Sequence, residues 1–329
     1  MTRLRLLTLN FFLRPPGVSE KGSKGDWKFE RLRLFAETQF QNYDIIALQE
    51  TFASLSSRRN ELISLAQKHG LKYVAAGKKQ SIWKLRVDAG LIILSRIPIV
   101  SVDEWTFVRG TEIGDWLAAK GVLYAKIQAA PDRHLHLFAT HFQSTDSPRA
   151  IELRHRQYIE AKRFIDNMLE KNQRKPSEPV LFVGDMNVDA RAGPEDGIGH
   201  GAEYLKMLGI YSGATADPDS TSGAKCVRYD VGNVCYEILK EHPITTSRLR
   251  VGPGRPEPDR KCIDFVLTFR PAGEDGTLLT DSQKDINFEN VRVEKFEVKD
   301  QPFSFLSDHF GVAVDLVIED GATNEQIPQ

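Results

Sequence analysis

Three short runs in this 329-residue chain carry side chains able to do chemistry together. They are Leu48-Gln49-Glu50-Thr51 near the start, Gly184-Asp185-Met186-Asn187 in the middle, and Ser307-Asp308-His309-Phe310-Gly311 near the end. Each follows an apolar run that reads as a buried strand. Acid, amide and imidazole groups are thereby delivered to strand ends, where a rigid sheet can converge them on one site. A set of that kind suits hydrolysis of a phosphate ester around a hard divalent cation.

Taken singly, the groups differ in weight. Glu50 emerges just past Asp44-Ile45-Ile46-Ala47-Leu48, and an ionised carboxylate there needs a partner because burying a bare one is costly. A metal, an arginine or a helix N-terminus would each serve. Asn10 closes the first apolar strand and offers an amide oxygen of a type that hard cations accept. Asp185 and Asn187 lie two apart, so in an extended segment they share a face, one to align water and one to donate to a phosphate oxygen. A Gly-Asp turn with a self-bonding side chain is the plainer reading of the same residues. His141 ends Phe138-Ala139-Thr140-His141 and, alone, reads as a core histidine. His309 is different, because Asp308 precedes it. Imidazole titrates near neutrality and can take a proton from water when a carboxylate fixes its tautomer. Asp264, an acid inside the apolar run Cys262-Ile263-Asp264-Phe265-Val266, is the candidate for that orienting group.

The elements that must position these groups are mostly strands. Alternating or apolar runs predict strands over 3–9, 44–48, 73–76, 89–94, 99–108, 122–127, 135–140, 180–183, 262–268, 291–298 and 312–318. Helical spacing predicts helices over 27–41, 55–69, 148–171 (with Pro148 suited to the first turn) and about 200–208. Strands outnumber helices, and hairpin-length gaps sit beside helical crossovers. The expectation is an α+β sandwich of two packed sheets with helices outside. One catalytic domain covers 1–319, with the irregular, Gly- and Pro-rich 189–262 packed on its rim and a polar tail at 320–329.

Composition bounds the rest. The chain is 41% hydrophobic with a formal net charge of -1, which leaves no overall electrostatic footprint for nucleic acid. Mean hydropathy is -0.35, as in a soluble protein. Three cysteines, Cys226, Cys235 and Cys262, exclude a disulfide framework and show no zinc spacing; Cys226 and Cys235 could pair in an oxidising compartment, but free thiols are the expectation. No signal-peptide h-region and no run of 18 apolar residues is visible, so a cytoplasmic or peripheral membrane location is expected.

In order along the chain, these residues resemble the endonuclease/exonuclease/phosphatase superfamily, the DNase I-like fold. The matches are Asn10, Leu48-Gln49-Glu50, Leu94-Ser95-Arg96-Ile97-Pro98-Ile99, Thr140-His141, Arg154 with Gln157, Gly184-Asp185-Met186-Asn187, Ile263-Asp264-Phe265-Val266 and Ser307-Asp308-His309. Within it, His141 and the segment Gly114-Asp115-Trp116-Leu117-Ala118-Ala119-Lys120-Gly121 look like those of neutral sphingomyelinases and inositol phosphosphingolipid phospholipase C. The resemblance implies a four-layer αββα sandwich of two mixed sheets flanked by helices. It implies Mg²⁺, or Mn²⁺ in its place, bound by Glu50 with Asn10 nearby. It also implies Asp185 and Asn187 positioning water and phosphate, His141 at the phosphodiester or leaving oxygen, and His309, steered by Asp264 and supported by Asp308, as general base. Asp115 and Lys120 would exchange partners as the site becomes competent. The substrate would be a sphingophospholipid in a membrane, split in phospholipase C fashion by a monomer.

That group often carries hydrophobic anchoring segments, and none stands in this sequence, so membrane contact would be peripheral. Gly77-Lys78-Lys79-Gln80-Ser81-Ile82-Trp83-Lys84-Leu85-Arg86 combines cations with an aromatic ring, and Trp83, Lys84 and Arg86 are its candidate docking side chains. Pro302-Phe303-Ser304-Phe305-Leu306 could add apolar insertion. Three other readings compete: a DNA nuclease or abasic endonuclease on the same scaffold, an inositol polyphosphate 5-phosphatase, and a membrane-binding module without turnover. The charge balance, His141 and the Asp115–Lys120 segment stand against the first. A Cys-Asp-Arg run replaced by Cys262-Ile263-Asp264 stands against the second, and the full catalytic set against the third.

Overall fold

Side-chain alternation along the strands decides the architecture. In β1 (Thr2–Leu13), Leu4 and Leu6 join one buried cluster while Leu7, Leu9, Phe11 and Leu13 join another, so both faces of the strand are covered. The computed structural model describes residues 1–19, 25–53, 56–77, 90–109, 119–215, 227–252, 257–273, 278–279 and 286–318.

Two six-stranded sheets result. The first adds to β1 the strands β2 (Ile45–Thr51), β3 (Tyr73–Ala76), β4 (Ile92–Ser95), β13 (Ile286–Glu294) and β14 (Gly311–Ile318), in the order β13-β14-β1-β2-β4-β3. The second holds β5 (Ile99–Thr106), β6 (Gly121–Ala130), β7 (Arg133–His141), β8 (Val180–Asp185), β11 (Tyr229–Asn233) and β12 (Asp264–Pro271), in the order β11-β12-β8-β7-β6-β5. Each is mixed: β1 with β2 and β7 with β8 are parallel, and the remaining pairs are antiparallel. β9 (Arg191–Gly193) and β10 (Asp196–His200) form a separate hairpin.

The inner faces meet through Leu4, Leu6, Ala47, Leu137, Leu181, Val183, Val266 and Val314. Helices α1 (Lys28–Gln39) and α2 (Arg58–Lys68) cover the outer face of the first sheet. α3 (Pro148–Lys171) and α4 (Ala202–Tyr211) cover that of the second, and the short α5 (Val234–Leu239) lies beside β12 and β13. This is the four-layer sandwich expected. At the start of α3 the Ser147 side chain accepts from the Ala150 N–H at 3.2 Å and Pro148 fills the first turn, a cap of the usual type.

Two local expectations change. The strand expected at 291–298 runs from Ile286 to Glu294, because a register shift between Glu289 and Arg292 interrupts its alternation. The 189–262 stretch is only partly rim, since β11 within it completes the edge of the second sheet. Cys235 and Cys262 are the free thiols expected, both buried, with burial pushing Cys235 up to about 12 and holding Cys262 well above its ordinary range, so neither is a reactive thiolate. Cys226 lies outside the described residues.

Candidate active site

The inner-face parity that packs the core continues past its edge with polar residues. After Leu4 and Leu6 come Thr8 and Asn10; after Leu181 and Val183 comes Asp185; after Leu137 and Ala139 comes His141; Asp264 precedes Val266. Four separate strands therefore aim polar side chains into the same end of the inter-sheet space. Pairing enforces the register, with Asp185 opposite both Asp264 and His141.

Glu50 breaks the pattern. Ile46 and Leu48 face outward, and a regular strand would send Glu50 after them. Its left-handed backbone (φ 56°) turns it inward instead. Gly90, itself at φ 64°, packs there so closely that a Cβ on it would sit 3.0 Å from the Glu50 Cα, and its carbonyl accepts from the Thr51 N–H at 2.8 Å. Gly184 has a similar duty: at φ 130° a Cβ would lie 2.2 Å from the Thr140 carbonyl oxygen, so only glycine lets β8 approach β7 just before Asp185.

These side chains touch. Asn10 Nδ2 donates to Glu50 Oε1 at 3.1 Å and to Asp185 Oδ2 at 2.9 Å. Asp264 Oδ2 lies 2.9 Å from His309 Nδ1, and His309 Nε2 lies 3.9 Å from Asp185 Oδ2. On the other flank His141 Nε2 is 3.4 Å from Asp185 Oδ2 and 3.3 Å from Lys120 Nζ, which also donates to the Phe142 carbonyl at 2.6 Å. With Lys120 as donor, neutral His141 carries its proton on Nδ1.

Asp185 and Asn187 do not form the extended pair that spacing suggests. Asn187 sits at φ 51°, its N–H bonds Asp185 Oδ1 at 2.9 Å, and its Nδ2 reaches the Phe142 carbonyl at 2.9 Å. The segment is a turn closed by the aspartate, which still leaves both residues at the site. Asp115, Trp83, Lys84 and Arg86 lie outside the described residues.

Charge state follows burial and company. Burial pushes His309 down, but the Asp264 and Asp185 carboxylates overcome it and hold the imidazole well above its ordinary range. Asp185 is raised by burial, and Asp308 is raised by burial to about 7, with Glu50 adding to the effect. His141 is held well below its ordinary range by burial, then by Lys120 and His309, and stays neutral.

Which atoms could take a cation follows from the donors. Glu50 Oε2 is buried without a hydrogen-bond partner, the kind of orphaned oxygen a hard cation satisfies. Asn10, expected to offer its oxygen, instead turns that oxygen to the Phe12 N–H at 3.1 Å and presents its NH₂ to the two acids. In this orientation it bridges the acids. Asp185, Asp264 and His309 also bring ligand atoms within 4.8 Å of one another. His309 Nδ1 is already engaged by Asp264, so this trio reads first as an acid–imidazole–acid row.

Sequence reasoning missed Arg31. Fully buried in α1, it donates to the carbonyls of Asp26 (2.7 Å), Phe11 (3.1 Å), Phe12 (2.7 Å) and Leu306 (2.7 Å). Together with a hydrogen bond from Ser307 Oγ to the Asn10 carbonyl at 2.5 Å, it ties the end of β1 to the loop that carries Asp308 and His309. Its only sequence trace is a cation among the apolar positions of a helix.

The chain matches the Endonuclease/Exonuclease/phosphatase family over residues 10–309. It is 28% identical to a sphingomyelinase of Dictyostelium discoideum over 84% of this chain and 72% of that protein. It is 30% identical to sphingomyelinase C of Bacillus cereus over 57% of this chain and 60% of that protein. Among solved structures, sphingomyelinase C from Streptomyces griseocarneus superposes with a TM-score of 0.59 at 23% identity, covering 96% of this chain and 99% of that one. A Staphylococcus aureus beta toxin mutant with bound magnesium ions does so at 0.58 and 19%, covering 95% and 99%. Both structures share the fold.

Proposed function

This chain belongs to the endonuclease/exonuclease/phosphatase family, and from that premise we propose a phosphodiesterase of the phospholipase C type acting on a sphingophospholipid. The products are a ceramide-like alcohol and a phosphorylated head group. The observation that carries the reading is the contact chain Glu50–Asn10–Asp185 with the Asp264–His309 pair at one side and Lys120–His141 at the other. The sphingomyelinases among its relatives support the lipid over a nucleic acid.

Glu50 is the residue to hold Mg²⁺, and Asn10 joins it only if its amide turns over. Held there, the ion would supply positive charge against the phosphate. The chain's own groups do the rest. Asp264 fixes His309 with Nε2 toward Asp185, so that a water beside the pair can contact both and be aligned for attack on phosphorus. The row must be free of its proton to accept one from that water, so the rate rises with pH through the His309 range. Lys120 brings a positive charge to the phosphate oxygens, and Asn187 a remaining amide N–H. Neutral His141 accepts from Lys120 through Nε2 and holds that ammonium in the site, where Lys120 Nζ–H is the proton source for the leaving alkoxide.

Reaching such a substrate requires contact with a bilayer surface. No helix among the described residues is long and apolar enough to cross one, and docking through the Trp83 segment is part of this proposal. The test is release of water-soluble phosphate ester from sphingomyelin and related lipids in mixed micelles, with Mg²⁺ and with EDTA, beside abasic duplex DNA. Mg²⁺-dependent lipid cleavage without DNA cleavage is expected. DNA cleavage with no lipid turnover would overturn the proposal.

A further inference from the structure

Granted that the chain cleaves a lipid diester, the cavity that opens beyond Asn187, Asp308 and His309 adjoins the reacting phosphate and has room for one of its arms. This space of about 410 Å³ is walled by Asp146 from the loop after β7, by Asp189, and by Thr246, Ser247, Arg248, Asp259 and Lys261 from the approach to β12, so that carboxylates there outnumber the two cations. Lys261 Nζ bonds Asp146 Oδ2 at 2.7 Å and so joins two of these walls. Asp189 is held in place by the backbone: its Oδ1 accepts from the N–H of Arg191 at 3.1 Å and of Cys262 at 3.0 Å. Its second oxygen is left to face whatever enters.

An acyl-bearing arm placed here would strip water from carboxylates, hydroxyls and an ammonium while offering them nothing. The polar arm belongs in the cavity instead. Its chemistry is constrained further by what the walls present. Anchored carboxylate oxygens and hydroxyls accept hydrogen bonds, and a charged acceptor rewards an N–H or O–H donor strongly. A primary ammonium has three N–H groups to give, and a polyol has several hydroxyls. A trimethylammonium group has none, and would leave Asp189 desolvated with only a diffuse charge opposite.

We propose that this cavity is the head-group site and that it selects a hydrogen-bond-donating head group, a primary ammonium or a polyol, over trimethylammonium. Asp189 is the specificity-determining acceptor, since Asp146 is already paired with Lys261 at 2.7 Å and Arg154 at 3.6 Å.

The experiment uses the whole chain with Mg²⁺ and three lipids on one ceramide, carrying phosphoethanolamine, phosphoinositol or phosphocholine. At least one donor head group is expected to be cleaved with kcat/KM about tenfold or more above the phosphocholine lipid, a discrimination of the size that one charged hydrogen bond gives. Comparison of the ethanolamine and inositol arms identifies which donor the cavity takes. Asp189→Asn, which keeps the oxygen that bonds the backbone, should move the ratio toward one. Thermal melts establish that the variant is folded, and the wild-type ratio tests the proposal even where it is not. Equal or faster cleavage of the phosphocholine lipid, or a ratio that Asp189→Asn leaves untouched, would overturn the head-group assignment while the diesterase reading stands. Failure to cleave any of the three removes the diesterase reading and this one with it.

Discussion

Opposite ends of this sandwich each hold an imidazole against a carboxylate, and the two pairs behave in opposite ways. At the catalytic end His309 Nδ1 meets Asp264 at 2.9 Å; at the far end His136 Nε2 meets Glu178 at 3.1 Å. Bond lengths scarcely separate them. Stoichiometry does. Around His309 stand three acids, Asp264, Asp185 and Asp308, and their summed field overrides burial and favours imidazolium. At the far end two imidazoles, His134 and His136, share the one Glu178. Burial there wins and takes His136 down to about 4. Burial also acts to raise Glu178, but the Lys175 N–H and both imidazoles draw it down to about 2. Tyr124 closes the remaining nitrogen of His136 at 2.9 Å. One imidazole is held protonated by the acids around it; the other is a neutral strut. Surplus of acid over base, more than the presence of a pair, distinguishes a reactive imidazole from a structural one.

The largest consequence of that difference is on rate. His309→Ala should lower kcat by roughly 10³-fold or more while the fold persists, since groups acting as a unit fail together. His136→Ala should keep its turnover per folded molecule and lose thermal stability instead. Steady-state kinetics with a melting curve for each variant makes the check. Comparable kinetic losses in both would erase the distinction.

Next comes the pH profile. Asp264→Asn removes a negative charge that supports the His309 imidazolium, so the acid limb of kcat/KM should shift to lower pH, with a rate loss of about 10²-fold. Glu178→Gln should leave that limb in place. A limb that stays fixed in Asp264→Asn would show that another group titrates there.

Stability carries the far-end signature. His136 titrates near 4 folded and near 6.5 unfolded, so the unfolded chain binds its proton first as the medium acidifies. The neutral strut is therefore fully stabilising above about pH 6.5 and its contribution is lost progressively toward pH 4, about 3 kcal/mol in all. Glu178, also depressed, extends the loss from its ordinary range down toward pH 2. Urea titrations between pH 7 and 4 should show this decline, and His136→Gln should flatten its upper part. An unchanged slope in that variant would assign the acid sensitivity elsewhere.

Much of the catalytic end was legible in the sequence because it obeys period two. Asn10, His141, Asp185 and Asp264 are each placed by the same alternation that fills the core, and each could be picked out as a polar group ending or opening an apolar run. Glu50 was legible only as a residue type in a motif. Its inward turn depends on Gly90, forty positions away by sequence and adjacent only once β2 and β4 pair. Arg31 escaped because its partners are backbone carbonyls drawn from three distant segments, and no residue type advertises them. β11 and α5 were missed because five- and six-residue elements beside glycines carry too few periods to register. The walls of the cavity beyond His309 come from loops, where alternation gives no guide at all.

The smallest effect sharpens the comparison at the level of a single glycine. Gly90 lies at φ 64°, and a Cβ there would meet the Glu50 Cα at 3.0 Å and the Thr51 nitrogen at 3.1 Å, all backbone that cannot swing aside. Gly193, in the β9–β10 hairpin, would carry a Cβ with nothing within 4 Å of it, and its backbone is not left-handed. Gly90→Ala should therefore cost about 1–2 kcal/mol of stability for the strained backbone and displace the Glu50 carboxylate from the cleft. A carboxylate moved by a few tenths of an ångström still binds a cation, only less well. The expected result is a decrease in kcat/KM of roughly tenfold and a higher Mg²⁺ requirement for half-maximal rate. Gly193→Ala should match wild type in both. If Gly90→Ala retains the wild-type Mg²⁺ requirement at normal rate, the left-handed turn at Glu50 does not position the metal ligand, and Glu50 owes its place to Asn10 alone.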